Sequence, residues 1–273
     1  AWALECAGNH DIKTPNLNKL AQKGIRFDEF YCTSPVCSPA RASIVTGKIP
    51  SCHGVQDWIA KGNLNSKKYP QMAELPEGMQ EDAPIDYLEG NKTYVEILAD
   101  NGYNCALSGK WHLGDNVTKK KGFEQWYSLG RGGCHYYAAD LFEDGKLNIS
   151  KEYVTDLITE KALNYLEDMS KQEEPFYLSI HYTAPHSPWN KEEHPKQYRS
   201  IYEECKFEAT PQLPVHKNQI NTCPVGDTPE KRKEYLQGYY AAITAMDSGI
   251  GRILDKIEQE GIEQDTVVIF TSD

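Results

Sequence analysis

The chain has 273 residues, 39% hydrophobic and 25% charged, long enough to bury a sizeable core and ordinary for a soluble globular protein. A net charge of −11 argues against nucleic acid as the main partner, because phosphate binding needs a basic face, but it leaves a small anionic substrate open. The sequence holds no run of about 18 apolar residues, so nothing in it reads as a membrane span.

In chain order, "TPNLNKLAQKG" predicts a helix with Thr14 as N-cap, Pro15 in the first helical position and Gly24 as the stop. The apolar run 25–31 (IRFDEFY) predicts a strand. Over 37–47, Ser38 suits a cap, Pro39 the first turn and Gly47 the end of a short helix. A second short helix (92–102, KTYVEILADNG) precedes a strand at 103–108, and a third strand is predicted at 175–182. The clearest helix starts at Thr228–Pro229 and runs towards Gly261. Its apolar residues Leu236, Tyr239, Ile243, Met246, Ile250, Ile253 and Ile257 step by three and four, which marks a core stripe. A last strand is predicted at 266–271. Strand–helix alternation at this spacing predicts an α/β layered fold with a largely parallel sheet, whose chemistry collects at the carboxyl ends of the strands. The Pro- and Tyr-rich stretches 56–90 and 187–229 fit no period and predict loops or lids over a site.

Eight cysteines (6, 32, 37, 52, 105, 134, 205 and 223) show no CxxC pair and no zinc-ligand rhythm, so disulfides and unpaired thiols both stay open. Asn91, Asn116 and Asn148 head N-x-S/T sequons, which matter only in a secretory context. The start "AWALECAGN" reads as mid-element and the end "DTVVIFTSD" as the tip of a buried strand, so the chain is expected to be a piece of a longer protein.

Four stretches could carry chemistry. Cys37 sits at a predicted helix start, where the macrodipole favours anions and lowers a thiol's pKa, with Arg41 one turn on; the other reading is a buried structural cysteine. In "LSGKWHLG" (107–114), Lys110 and His112 fall just beyond a strand and alternate with Trp111, offering an anion-binding charge and a proton carrier, or a turn with a solvated Lys and a packed His. In "SIHYTAPHSPW" (179–189), His186 lies in a loop stiffened by prolines and suits acid–base work as well as a plain loop position, whereas His181 within the strand reads as structural. Asp273 ends a strand, where a carboxylate holds a divalent metal or caps a helix. His10, His53, His135, His194 and His216 carry no spacing signal.

"CSPAR" with the trailing "ASIVTGK", then "GKWHLG", "APHSP" and "FTSD", in that order, resemble the type I sulfatases of the alkaline phosphatase superfamily, over essentially the whole chain. The resemblance implies an alkaline-phosphatase-like fold, with 1–273 as one sulfatase catalytic domain lacking its first strand and its C-terminal subdomain. It implies that Cys37 is oxidised to Cα-formylglycine by a formylglycine-generating or anaerobic sulfatase-maturating enzyme. The hydrated aldehyde then attacks sulfur with one hydroxyl and expels sulfate through the other. By position, Arg41 would hold the formylglycine, Lys110 would bind a sulfate oxygen, and His112 would take the remaining hydroxyl's proton. His186 would protonate the leaving alkoxide. Residue 37 and Asp273 would ligate Ca²⁺, with Mg²⁺ as the other option, the family's further metal ligands and second lysine falling outside the chain. On that ground the chain alone is expected to be inactive.

The family pattern usually continues T-G-R, and Lys48 stands there instead. The implied substrate is a sulfate ester, with a sulfated sugar favoured and Trp58, Trp126, Trp189 and the 134–142 cluster as candidate platforms or core. A phosphodiester or phosphonate monoester hydrolase of the same superfamily and a non-catalytic sulfated-glycan-binding relative are the alternatives. A signal peptide on the parent would make it periplasmic or secreted, and its absence cytoplasmic.

Overall fold

The computed structural model describes residues 3–72, 83–214 and 226–273; His216, Cys223 and parts of the two long aperiodic stretches lie outside them. Five strands form one sheet in the order β4-β3-β2-β1-β5: β1 Asn104–Gly109, β2 Gln125–Leu129, β3 Ala139–Glu143, β4 Lys146–Ser150 and β5 Phe176–His181. β1 pairs parallel to β2 on one side and to β5 on the other, whereas β2–β3 and β3–β4 are antiparallel. The α/β class is as expected, but the sheet is mixed, because Asp144 and Gly145, both at positive φ, turn β3 straight back as a hairpin.

The helices are α1 Pro15–Lys23, α2 Cys37–Thr46, α3 Pro50–His53, α4 Tyr94–Asp100, α5 Val154–Met169, α6 Lys196–Arg199 and α7 Pro229–Gln259. Period-two alternation in β1 and β2 divides the core between the sheet faces. Ala106, Tyr127 and Leu129 pack with residues of α1, α5 and α7, while Cys105, Leu107 and Trp126 pack with Ala42 and Val45 of α2 and Val95 of α4. The stripe on α7 faces the first of these layers, with Ile243, Met246, Ile253 and Ile257 all buried.

Two capping expectations change. α1 begins after Thr14 as predicted, but the Thr14 hydroxyl accepts from the Glu5 N–H. The helix is capped instead by Asp247 of α7, whose buried carboxylate accepts the N–H groups of Asn16 (3.1 Å) and Leu17 (2.8 Å). α2 starts at Cys37 with Val36 at the N-cap, so Ser38 is inside the first turn and its Oγ accepts from the Ile59 N–H at 3.2 Å. Gly47 ends α2 in the left-handed conformation as predicted.

The predicted strands 25–31 and 266–271 do not form. Neither segment finds a ladder partner among the described residues, and a strand needs one for its backbone groups. Ile25, Phe27, Phe30, Tyr31, Val267 and Ile269 are left exposed, and the segments meet where Cys32 Sγ donates to the Ser272 carbonyl. Strands β2 to β4 and helix α5 go beyond the sequence reading. The seven described cysteines are free thiols. Asn116, the head of its sequon, is fully buried with its amide nitrogen donating to the Gly130 carbonyl, so it offers no exposed acceptor in the fold.

Candidate active site

The sulfur of Cys37, on the first turn of α2, lies 3.4 Å from Nδ1 of His112, just past the end of β1. His112 is 1% exposed and its Nε2 is 3.0 Å from the Ile59 carbonyl. A carbonyl only accepts, so Nε2 carries the proton and Nδ1 presents its lone pair to residue 37 and to the Ser38 hydroxyl, which is also 3.4 Å away. Burial, with the Lys110 charge next in weight, pushes the imidazole down to about 3, so the ring is a neutral acceptor near pH 7. Its backbone sits at φ 58°, a conformation that costs a non-glycine residue about 1 kcal/mol or more. The His112 N–H donates to Asn116 Oδ1 at 3.1 Å, which helps hold it there.

Arg41 lies one turn into α2. Its Nε donates to Asp273 Oδ2 at 2.6 Å and its Nη1 to the Lys110 carbonyl at 2.7 Å. Burial alone would raise the Asp273 carboxyl, but Arg41 and Lys110 outweigh it and hold the group below its usual value. Lys110 is only 3% exposed, and burial followed by the Arg41 charge lowers its pKa. Two cations thus face one carboxylate, a local positive excess inside an acidic protein, suited to an anion. Trp111 between Lys110 and His112 turns the other way, packing edge-on against Phe123 and Trp126.

His186 is exposed and sits between the cis peptide bonds Ala184–Pro185 and Ser187–Pro188. Its Nδ1 donates to the Ser187 carbonyl at 2.8 Å, and the surrounding chain, by displacing part of the water around the ring, lowers its pKa. The link to His112 is a segment the motifs did not flag. A Cβ on Gly132 would lie 2.1 Å from Cε1 of His112, and one on Gly133 would lie 3.3 Å from Cε1 of His186. These two glycines, just after β2, are the floor on which both imidazoles rest. A Gly-Gly pair following a strand is the sequence signal that could have found them.

The six predicted residues therefore form two bonded groups, Cys37 with His112 and Arg41 with Lys110 and Asp273, and His186 is joined to them across Gly132–Gly133. Lys48 lies outside this set, exposed and bonded to Asn91. Among the described residues no three His, Cys, Asp or Glu side chains gather as a metal cluster. Calcium takes six to eight oxygen ligands, so Asp273 with an oxygen on residue 37 does not fit as a complete site.

The family model of the sulfatases matches residues 1–273. The chain is 27% identical to the N-acetylglucosamine-6-O-sulfatase of Bacteroides thetaiotaomicron over 99% of its own length and 55% of that protein. It is 30% identical to an ulvan-active sulfatase of Formosa agariphila, covering 99% of this chain and 47% of that one. A solved structure described as a complex with its substrate D-glucosamine-2-N,6-O-disulfate superposes with a TM-score of 0.66 at 26% identity, over 95% of this chain and 60% of the other. The chain spans about half the length of the curated relatives it matches.

Proposed function

The chain belongs to the sulfatase family, and from that premise we propose that its protein hydrolyses the sulfate ester of a sulfated sugar, with residues 1–273 as part of one catalytic domain. The observation that carries the reading is the pairing of residue 37 with the lone pair of His112 at 3.4 Å, beside the buried Lys110 and the Arg41–Asp273 pair. A Cα-formylglycine at position 37 would supply, as its hydrate, an oxygen nucleophile and a second hydroxyl for expelling sulfate. Ca²⁺ would be held in part by Asp273 and residue 37 and would lower the charge on the sulfate.

This chain's own residues would then act as follows. Lys110 offsets the charge of a sulfate oxygen in a poorly hydrated setting, where it counts for more than in water. Arg41 holds Asp273 and sits against the end of β1, so the carboxylate and Lys110 keep their places. His112, neutral and with its Nδ1 lone pair 3.4 Å from both residue 37 and the Ser38 hydroxyl, takes a proton from a hydroxyl at residue 37. His186, at the exposed edge with its Nδ1–H held by the Ser187 carbonyl, takes up a proton from solvent at Nε2 and passes it to the departing sugar oxygen. Trp58 supports a sugar as the leaving group: it is 50% exposed and lines a cavity of about 350 Å³ with Tyr87, Asp57 and Lys61. Ile59, whose carbonyl holds His112, is part of the same wall. Trp126 is core and Trp189 packs edge-on against Tyr239, so neither suits a platform.

The test is sulfate release by the complete protein, produced with a maturating enzyme, on sulfated monosaccharides alongside matched phosphate esters. Faster release from the sulfates supports the reading, and preference for the phosphates overturns it. Residues 1–273 alone should release none, because their share of the metal ligands is incomplete; turnover by the isolated chain would contradict that.

A further inference from the structure

His181, the last residue of β5, is the polar group that the roles above leave unused. Tyr177, Ser179 and His181 alternate along β5 and share the sheet face that α2 and α4 cover. A continuous hydrogen-bonded line runs along that face. The Tyr94 hydroxyl of α4 bonds the Tyr177 hydroxyl. Tyr177 is 3.1 Å from Ser179 Oγ, and Ser179 Oγ is 2.8 Å from His181 Nε2.

At the site end of the line, His181 Nδ1 lies 2.9 Å from the Lys110 carbonyl, and the Lys110 N–H donates back to the His181 carbonyl at 2.9 Å. Gly109 makes this approach possible, since a Cβ there would fall 2.1 Å from the His181 oxygen. The carbonyl that His181 reaches is the one that Arg41 Nη1 also grips. Because a carbonyl cannot donate, Nδ1 must carry the proton, and Nε2 must accept from Ser179. Arg41 Nη1 stands 3.3 Å from Nδ1, so the opposite tautomer would turn Nδ1 towards Arg41 and take one donor from the Lys110 carbonyl. Burial, then the Arg41 charge, keeps the ring neutral, at about 4.

We propose that His181 is a positioning residue for the sulfatase reaction: its Nδ1–H, oriented by Ser179, holds the Lys110 carbonyl and so keeps Lys110 and Arg41 aligned with residue 37. The proposal rests on the sulfatase reading. It differs from mere packing because it depends on one donor at one place, which an asparagine amide supplies at nearly the same point and a leucine does not.

In the complete, matured protein, His181→Leu should lower kcat about 10- to 100-fold, the scale of a misaligned catalytic group, with KM changing far less. His181→Asn should recover about tenfold of that loss at a melting temperature matching the leucine variant. Ser179→Ala should cost a few-fold. Equal kcat for His181→Leu and His181→Asn overturns the proposal. Independently of activity and of any variant's folding, ¹⁵N NMR of the wild-type imidazole should show the proton on Nδ1, and a proton on Nε2 overturns it as well. Absence of sulfate release by the wild type would sink the sulfatase reading, while the NMR result would still decide the hydrogen bonding of His181.

Discussion

Gly132→Ala tests the floor under His112. The new methyl carbon would lie 2.1 Å from Cε1, 2.2 Å from Nε2 and 2.5 Å from Nδ1 of the ring, where ordinary contact needs about 3.4 Å or more. Either the ring or the loop must give by about 1 Å. The ring is held at both ends, by the Ile59 carbonyl at Nε2 and by Asn116 at the backbone N–H. Moving it loses a buried hydrogen bond, about 1 kcal/mol, and overpacking of this kind costs about 1–3 kcal/mol in stability. A displacement of about 1 Å at a catalytic group is worth about a hundredfold in rate. Sulfate release by the complete protein should therefore fall about a hundredfold in kcat, with a melting temperature lowered by a few degrees. Gly133→Ala, whose Cβ would meet His186 at 3.3 Å, should be much milder. A Gly132→Ala protein with wild-type kcat and an unchanged melting temperature would refute the placement of His112 against this loop.

Asp247→Ala should destabilise the fold by about 1–3 kcal/mol in urea unfolding, since it leaves the buried N–H of Leu17 and the part-buried N–H of Asn16 without their acceptor. His194 is 2% exposed, accepts from the Tyr153 hydroxyl and donates to the Pro188 carbonyl, and burial lowers it to about 4. The unfolded chain, with a histidine near 6.5, binds that proton first. Stability should therefore be full above about pH 6.5 and fall towards pH 4 by up to about 1.4 kcal/mol per pH unit from this group. His194→Gln should make the urea midpoint less steep over that window, and an identical slope would show that the ring is not held neutral.

What the sequence made legible was what depends on local order. Pro15, Pro229 and Gly47 mark helix ends by backbone geometry alone, and each stands where expected. Cys37, Lys110 and His112 were readable for the same reason, since they open α2 or follow directly on β1, whereas the strand that was to carry Asp273 does not form. What failed depends on a distant partner. Thr14 stands at the N-cap of α1 as expected but leaves the capping to the Asp247 carboxylate, and Val36 rather than Ser38 stands at the N-cap of α2, which is decided by α7 packing on α1 and by the Ile59 N–H donating to the Ser38 hydroxyl. The apolar runs 25–31 and 266–271 have strand composition without a ladder partner among the described residues. The β3–β4 hairpin turns at Asp144–Gly145, but its strands mix polar and apolar residues without a clean alternation to mark them. His181 read as structural because the Lys110 carbonyl it reaches lies 71 positions away in the chain.

The most direct test of the account is the mass of the peptide spanning residues 37–41 from the complete protein made with a maturating enzyme, set beside its sulfate release. An aldehyde or its hydrate at position 37, in a fraction that tracks the activity, is the predicted result. Full activity from protein that keeps the Cys37 thiol would contradict it.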